Sequence, residues 1–350
     1  MRGSIRIGKV AGIPVTMHWS LLLIALLITV NLSSVFGLSF LVATLIAALF
    51  FASVVAHETA HALVARRFGV PTESIDLWIL GGMARLSKEA PSPKAEFLMA
   101  GAGPTTNLVL GGGFTALAAA SGHEAIAWLG GINLLLGGLN LLPAAPLDGG
   151  RMLQAVLWWR NHDRRRSGVI AAKAGILLGY AVIGFGLVQM AVGQSGLWSI
   201  ILGWFISNSA RQEELTHRTL GALDGLRVGQ VMAPVEPTVA DYRTIDDAIA
   251  DLGREHDVVG VKNFNGEVEG IVSLRQLARL PERLRASMRI KEVYVPVEKL
   301  GNAVAAEEVG NVLSRMQSSV PAVAVWGPCS RLLGFVTGEA LTPRLRNSKQ

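Results

Sequence analysis

Residues 47–68, AALFFASVVAHETAHALVARRF, constrain the chain more than any other stretch. The run reads as an apolar helix with His57-Glu58-Thr59-Ala60-His61 in its middle. Two histidines four residues apart lie on one helix face, one turn above the other, so two imidazole nitrogens can reach a single tetrahedral ion. Glu58 sits beside them, within reach of a water at that ion. Ala47 to Ala56 carry no charge. An ionisable group in such a segment costs about 2.5–3.5 kcal/mol on insertion scales and is functional by default. A chance HExxH lies on a solvated helix face, and these flanks offer none.

Composition agrees. The chain has 350 residues, 51% hydrophobic and 17% charged, which is an integral membrane composition with room for a second, soluble domain. The net charge of +6 is gathered in particular loops, so it marks topology and not a nucleic-acid surface. Cys329 is the single cysteine, which excludes an intrachain disulfide and a cysteine-based zinc finger. No small-residue cleavage site follows the first apolar run, so that run is expected to be a membrane helix and not a removed signal peptide.

Residues 1–16 suggest a short strand at the membrane surface. Residues 17–36 are long enough to span the bilayer, with Trp19 suited to its interfacial belt and His18 in a structural role. The second span, about 39–66, carries the HETAH motif. Residues 69–95 are too polar and broken to span, and read as two short strands around Gly81-Gly82, ended by Pro91 and Pro93. A bare strand edge in lipid is costly, so this hairpin must be covered or await a partner strand. A third span at about 96–120 is dense in Gly and Ala and is interrupted by Pro104 and Asn107. The fourth, about 125–142, is broken by Pro143 and Pro146, so that Asp148 is offered from an unwound segment. After Trp158-Trp159 at the interface, spans five and six fall at about 168–192 and 196–210.

With six alternating spans, Arg2, Arg6, Lys9, Arg66, Arg67, Arg160, Arg164 to Arg166, Arg211 and Arg218 share one side. The opposite turns carry no Lys or Arg. The positive-inside rule then places both termini in the cytoplasm of a multi-pass protein of the cell membrane. His57, His61 and Asp148 come to one depth, near the cytoplasmic ends of their helices. Two imidazoles and one carboxylate suit a catalytic zinc, one per chain, with a fourth position open. Glu58 would move the water's proton to the leaving amine. Asn140 is a candidate donor to the developing oxyanion, or alternatively an interhelical hydrogen-bonding group.

HETAH in a membrane helix, GAGPTTN (101–107) and NLLPAAPLDGG (140–150) together resemble the site-2 protease family of intramembrane zinc metalloproteases, across residues 1–210. The resemblance implies His57, His61 and Asp148 as zinc ligands and Glu58 as general base. It also implies substrates that are single-pass membrane proteins, and a hairpin at Gly81-Gly82 that pairs with an unwound substrate.

From Arg211 the composition turns to that of soluble protein. Two similar units of roughly 60 residues follow a linker over 211–225. One lies at 226–282 and the other at 286–345, each reading as an entry strand, a helix, two hydrophobic strands and a helix. They resemble a tandem pair of CBS domains, which bind adenine nucleotides in many proteins through an Asp near the last helix. Gln276 and Ala340 stand at those positions, so weak or absent nucleotide binding is expected. A pair that dimerises the chain and shapes access to the protease is the plainer alternative.

The expected fold is thus a multi-pass α-helical membrane protein with about six transmembrane helices, a membrane-associated β-hairpin and a C-terminal α/β tandem CBS module. The rival is a CBS-gated channel or transporter with a vestigial zinc site. An intact Glu58 tells against it, because binding zinc alone does not require that residue.

Overall fold

A computed structural model describes residues 4–78, 81–253, 258–313, 315–316, 322–328, 331–338 and 341. Cys329 and Ala340 lie outside the described residues. The chain forms two compact units, Met1–His217 and Arg218–Gln350.

The first unit opens with β1 (Ser4–Val10) and β2 (Ile13–His18), then the helices α1 (Ser20–Phe36) and α2 (Phe40–Arg67). Gly37, at φ 62°, ends α1 in a left-handed turn, and the Ser39 side chain caps α2 by accepting from the Val42 N–H. Next come β3 (Thr72–Trp78) and β4 (Gly81–Leu86), then α3 (Pro93–Ser121), with Ser92 as its cap and Pro93 in its first turn. α4 (Glu124–Asn140), α5 (Asp148–Asn161), α6 (Arg164–Ala191) and α7 (Leu197–Leu223) follow.

Among the described residues, α2 and α6 are long and apolar enough by themselves to cross a membrane. At 17 residues each, α1 and α4 extend about 26 Å. At α3 the expectation of an interrupted helix fails. The helix runs unbroken through Pro104 for 29 residues, since one proline removes one ladder bond and packing on both sides holds the remainder.

The strands also differ from expectation. The N-terminal strand and the hairpin are parts of one sheet, ordered β1-β2-β3-β4, because β2 pairs parallel with β3 in the register Val15↔Ile75, Thr16↔Asp76, Met17↔Leu77. That pairing hides edges which would otherwise face lipid. Below it, Ile13, Val15, Ile75 and Leu77 pack on Leu21 of α1 and Ala62 of α2. Asp76 ties three strands together. It accepts from Thr16 Oγ1 at 2.7 Å and Ser74 Oγ at 3.0 Å, and pairs with Arg85 Nε at 2.5 Å. Burial opposes its charge, but those hydrogen bonds and the guanidinium hold the carboxyl below its usual range.

The second unit contains α8 (Val228–Val231), β5 (Ala233–Pro234), β6 (Thr238–Ala240), α9 (Ile245–Leu252), β7 (Val258–Lys262), β8 (Val268–Ser273), α10 (Leu274–Leu277) and α11 (Glu282–Ser287). The second repeat supplies β9 (Val295–Pro296), β10 (Gly301–Val304), α12 (Val309–Leu313), β11 (Ala322–Trp326) and β12 (Leu332–Thr337). Two sheets of one topology result, β6-β7-β8-β9 and β10-β11-β12-β5. Each repeat's short entry strand joins the other repeat's sheet: β5 pairs with β12, and β9 with β8. Between the sheets, Ile271, Val297, Leu300, Ala322, Ala324 and Phe335 form a shared core.

Candidate active site

The site is assembled from α2, α3, β4 and the start of α5. On α2, His57 and His61 stack one turn apart with their rings edge to face, centroids 4.7 Å apart. Their Nε2 atoms are 3.0 Å from each other. Asp148 Oδ2 completes a triangle, 3.2 Å from His57 Nε2 and 3.3 Å from His61 Nε2. Tetrahedral zinc with bonds of about 2.0–2.1 Å sets its donor atoms about 3.3 Å apart, so the donor set fits that ion. Both histidines are buried. His61 Nδ1 donates to the Met99 carbonyl at 2.6 Å, which fixes the tautomer and leaves the Nε2 lone pair facing the cluster. His57 Nδ1 is buried and finds no partner among the described residues.

Asp148 does not hang from an unwound segment, as the sequence suggested. It is the first residue of α5, directly after the broken stretch 141–147. A carboxylate is favoured at a helix N-terminus by the exposed amides and the helix dipole. The two glycines after it let α5 begin against that broken backbone. A Cβ at Gly149 would lie 2.2 Å from the Leu142 carbonyl oxygen, and one at Gly150 2.3 Å from the Ala145 nitrogen.

Glu58 is also buried. Its Oε2 accepts the Ala84 N–H of β4 at 3.1 Å. Gly82 of the same strand meets the Glu58 side chain so closely that a Cβ there would lie 2.5 Å from Cγ. The strand next to the metal cluster therefore grips the candidate base directly. Asn140, half-buried at the end of α4, makes no hydrogen bond to these groups. Asn107 is 2% exposed, and its Oδ1 has no partner among the described residues. His18 stays outside the cluster, with Nδ1 2.8 Å from Ser20 Oγ.

Two contributors had no role assigned from the sequence, although Gly103 lies in the GAGPTTN motif. Met99 acts through its backbone carbonyl. Gly103 acts by lacking a side chain: a Cβ there would sit 2.3 Å from His61 Nε2 and 2.5 Å from His57 Nε2. The packed rings thus lean on the backbone of α3.

The profile of peptidase family M50 matches residues 45–124 and 115–184. Rip3 of Mycobacterium tuberculosis, named a zinc metalloprotease, is 38% identical over 354 residues, covering 95% of this chain and 88% of the relative. The chain belongs to peptidase family M50. It is an intramembrane zinc metalloprotease of the site-2 type. Among solved structures, the site-2 protease from Methanocaldococcus jannaschii shares 33% identity with a TM-score of 0.46, covering 60% of this chain and 95% of that one. The CBS domain of a bacterial CNNM/CorC family Mg2+ transporter, solved with ATP, is 18% identical with a TM-score of 0.30, covering 39% of this chain and 97% of that one.

Proposed function

We propose that His57, His61 and Asp148 hold the protease's single zinc ion and that Glu58 is its general base. The observation that carries this is the triangle of Nε2, Nε2 and Oδ2 with sides of 3.0–3.3 Å. When bound, the zinc polarises the scissile carbonyl and acidifies the attacking water. Glu58 takes that water's proton and returns it to the departing amine. Asn140 donates to the oxyanion once a substrate is seated. The substrate is the membrane segment of a single-pass protein, unwound and added along the free edge of β4. The edge position of β4 and its bond to Glu58 support this, since a strand paired there lies beside the base.

The protease crosses the bilayer six times, with α1, α2, α3, α4, α6 and α7 as spans and both termini in the cytoplasm of a cell-membrane protein. The one-sided arginines support this topology. α5, too short to span at 14 residues, lies on the cytoplasmic side with Trp158 and Trp159. The transmembrane protease domain covers residues 1–210, a linker 211–225, and the CBS units 226–282 and 286–345. This pair shapes access to the site and is a candidate homodimer contact. Gln276 is exposed and presents no carboxylate to a ribose, so adenine nucleotides bind weakly if at all.

Two variants of the purified protein test the site. Glu58→Gln should keep zinc and lose proteolysis of a tagged single-pass segment by about 10²–10⁴-fold. Asp148→Ala should lose zinc by metal analysis. Full zinc occupancy and unchanged cleavage in Asp148→Ala would remove it from the site.

A further inference from the structure

The two histidines stand on one continuous helix, so their spacing is fixed by α2 alone. Asp148 has no such support, because the stretch 141–147 before it is irregular. Something else must set the position of α5.

Among the described residues, an ion pair to a buried carboxylate ties α5 to α3. Glu96, in the first turn of α3, is 2% exposed although it is a carboxylate. Its Oε1 accepts Arg151 Nε at 3.0 Å and lies 2.9 Å from Arg151 Nη2, so both arms of the guanidinium close on one oxygen. Its Oε2 lies 3.2 Å from Arg164 Nη2, at the start of α6. Arg151 is three residues after Asp148, on the first turn of α5. The carboxylates of Asp148 and of Glu213 on α7 also favour the Arg151 charge. The carboxylate is buried and the guanidinium half-buried, and separating them would leave the Glu96 charge uncompensated away from water, so the pair holds its geometry tightly.

The position of Glu96 on α3 matters as much as the bond. Glu96, Met99 and Gly103 follow at i, i+3 and i+7, so they share one helix face. From that face, Met99 orients His61, Gly103 backs both imidazoles, and Glu96 grips the helix that begins with Asp148. One face of α3 therefore touches the support of all three ligands. We infer that Glu96 and Arg151 are positioning residues that hold Asp148 at metal-binding distance from His57 and His61. The inference rests on Asp148 being a zinc ligand, as proposed above.

The test uses the full-length, zinc-loaded protein in detergent and follows zinc transfer to a competing fluorescent chelator. Thermal unfolding and the visible spectrum of the Co2+-substituted protein are recorded in parallel. Glu96→Gln and the double variant Glu96→Gln/Arg151→Met should release zinc about 10–100-fold faster and alter the cobalt bands, as when an outer partner of a ligand is lost. Arg151→Lys keeps the charge without the fork and should fall between these and the parent, which keeps the test alive if the other variants do not fold. Arg164→Gln is the control. It removes the other partner of Glu96, the one attached to α6, so it should lower the melting temperature while leaving zinc release within about twofold. The inference is overturned if Arg164→Gln loses zinc as readily as Glu96→Gln, or if Arg151→Lys and Glu96→Gln both release zinc at the parent's rate. If Asp148→Ala retains zinc, the ligand reading itself has failed, independently of the strut.

Discussion

Gly103→Ala is the smallest change that should empty the metal site. The added Cβ would sit 2.3 Å from His61 Nε2 and 2.5 Å from His57 Nε2. Non-bonded atoms of this size rest at about 3.5 Å, so each ring must retreat by about 1 Å. Metal–ligand distances tolerate only about ±0.2 Å. Neither imidazole can absorb the change and still bind. His61 is further restrained by its bond to the Met99 carbonyl. A loss of zinc affinity of at least about 100-fold, or about 2.7 kcal/mol, should follow. Elsewhere in a helix the same substitution stabilises by about 0.5–1 kcal/mol, so the fold itself should not suffer. Competitive zinc titration beside a circular dichroism melt separates the two effects. A folded Gly103→Ala protein with the parent's zinc affinity would show that the rings do not rest on α3.

Three further outcomes are expected. Asp76 has a depressed carboxyl pKa, so it stabilises the sheet above the unfolded value near pH 4 and the contribution fades as pH falls through the lower folded value. Hydrogen exchange of the β3 and β4 amides should accelerate below about pH 4 in the parent, and Asp76→Asn should remove that acid-dependent part. Deleting residues 220–350 should leave zinc bound and some proteolysis intact, because every catalytic motif precedes Arg211. A folded, zinc-loaded truncation inactive on all substrates would make the tail part of the working enzyme. Calorimetry with ATP should detect weak binding or none, and a tight stoichiometric isotherm would contradict the reading of Gln276.

The His57, His61 and Asp148 cluster was legible because its chemistry sits in side chains at readable positions. HETAH on an uncharged helix and an aspartate after two helix-breaking prolines each announce themselves. What stayed hidden works differently. Met99 contributes a carbonyl, which leaves no pattern in side-chain type, and the GAGPTTN motif did not disclose that Gly103 contributes an empty volume against both imidazoles. Glu96 and Arg151 are 55 residues apart, with no local signal that they meet. Pro104 suggested a break because a proline's local cost is visible in sequence, whereas the packing that overrides it is not. α5 was concealed behind the same prolines, its apolar and charged residues reading as an interfacial stretch. The hairpin over 72–86 could be read, but its parallel partner β2 could not, because parallel pairing across two helices needs no turn signal.

The exchange of β5 and β9 between the repeats has a consequence for the order in which the molecule is made. β5 emerges from the ribosome early in the tail, but its partner β12 comes last among the described strands. At the usual 5–20 residues per second, the edge awaiting it stays open for roughly 5–20 s. Over that interval the first repeat is a sheet that receives the second repeat's β9 midway while its own entry strand stays unclaimed. Chains stopped by a nonsense codon or a stalled ribosome before Leu332 therefore share one defect, an unpaired strand beside an unfinished hydrophobic layer. Cellular quality control could recognise such a chain by that exposed edge, while its first unit already carried His57, Glu58, His61 and Asp148.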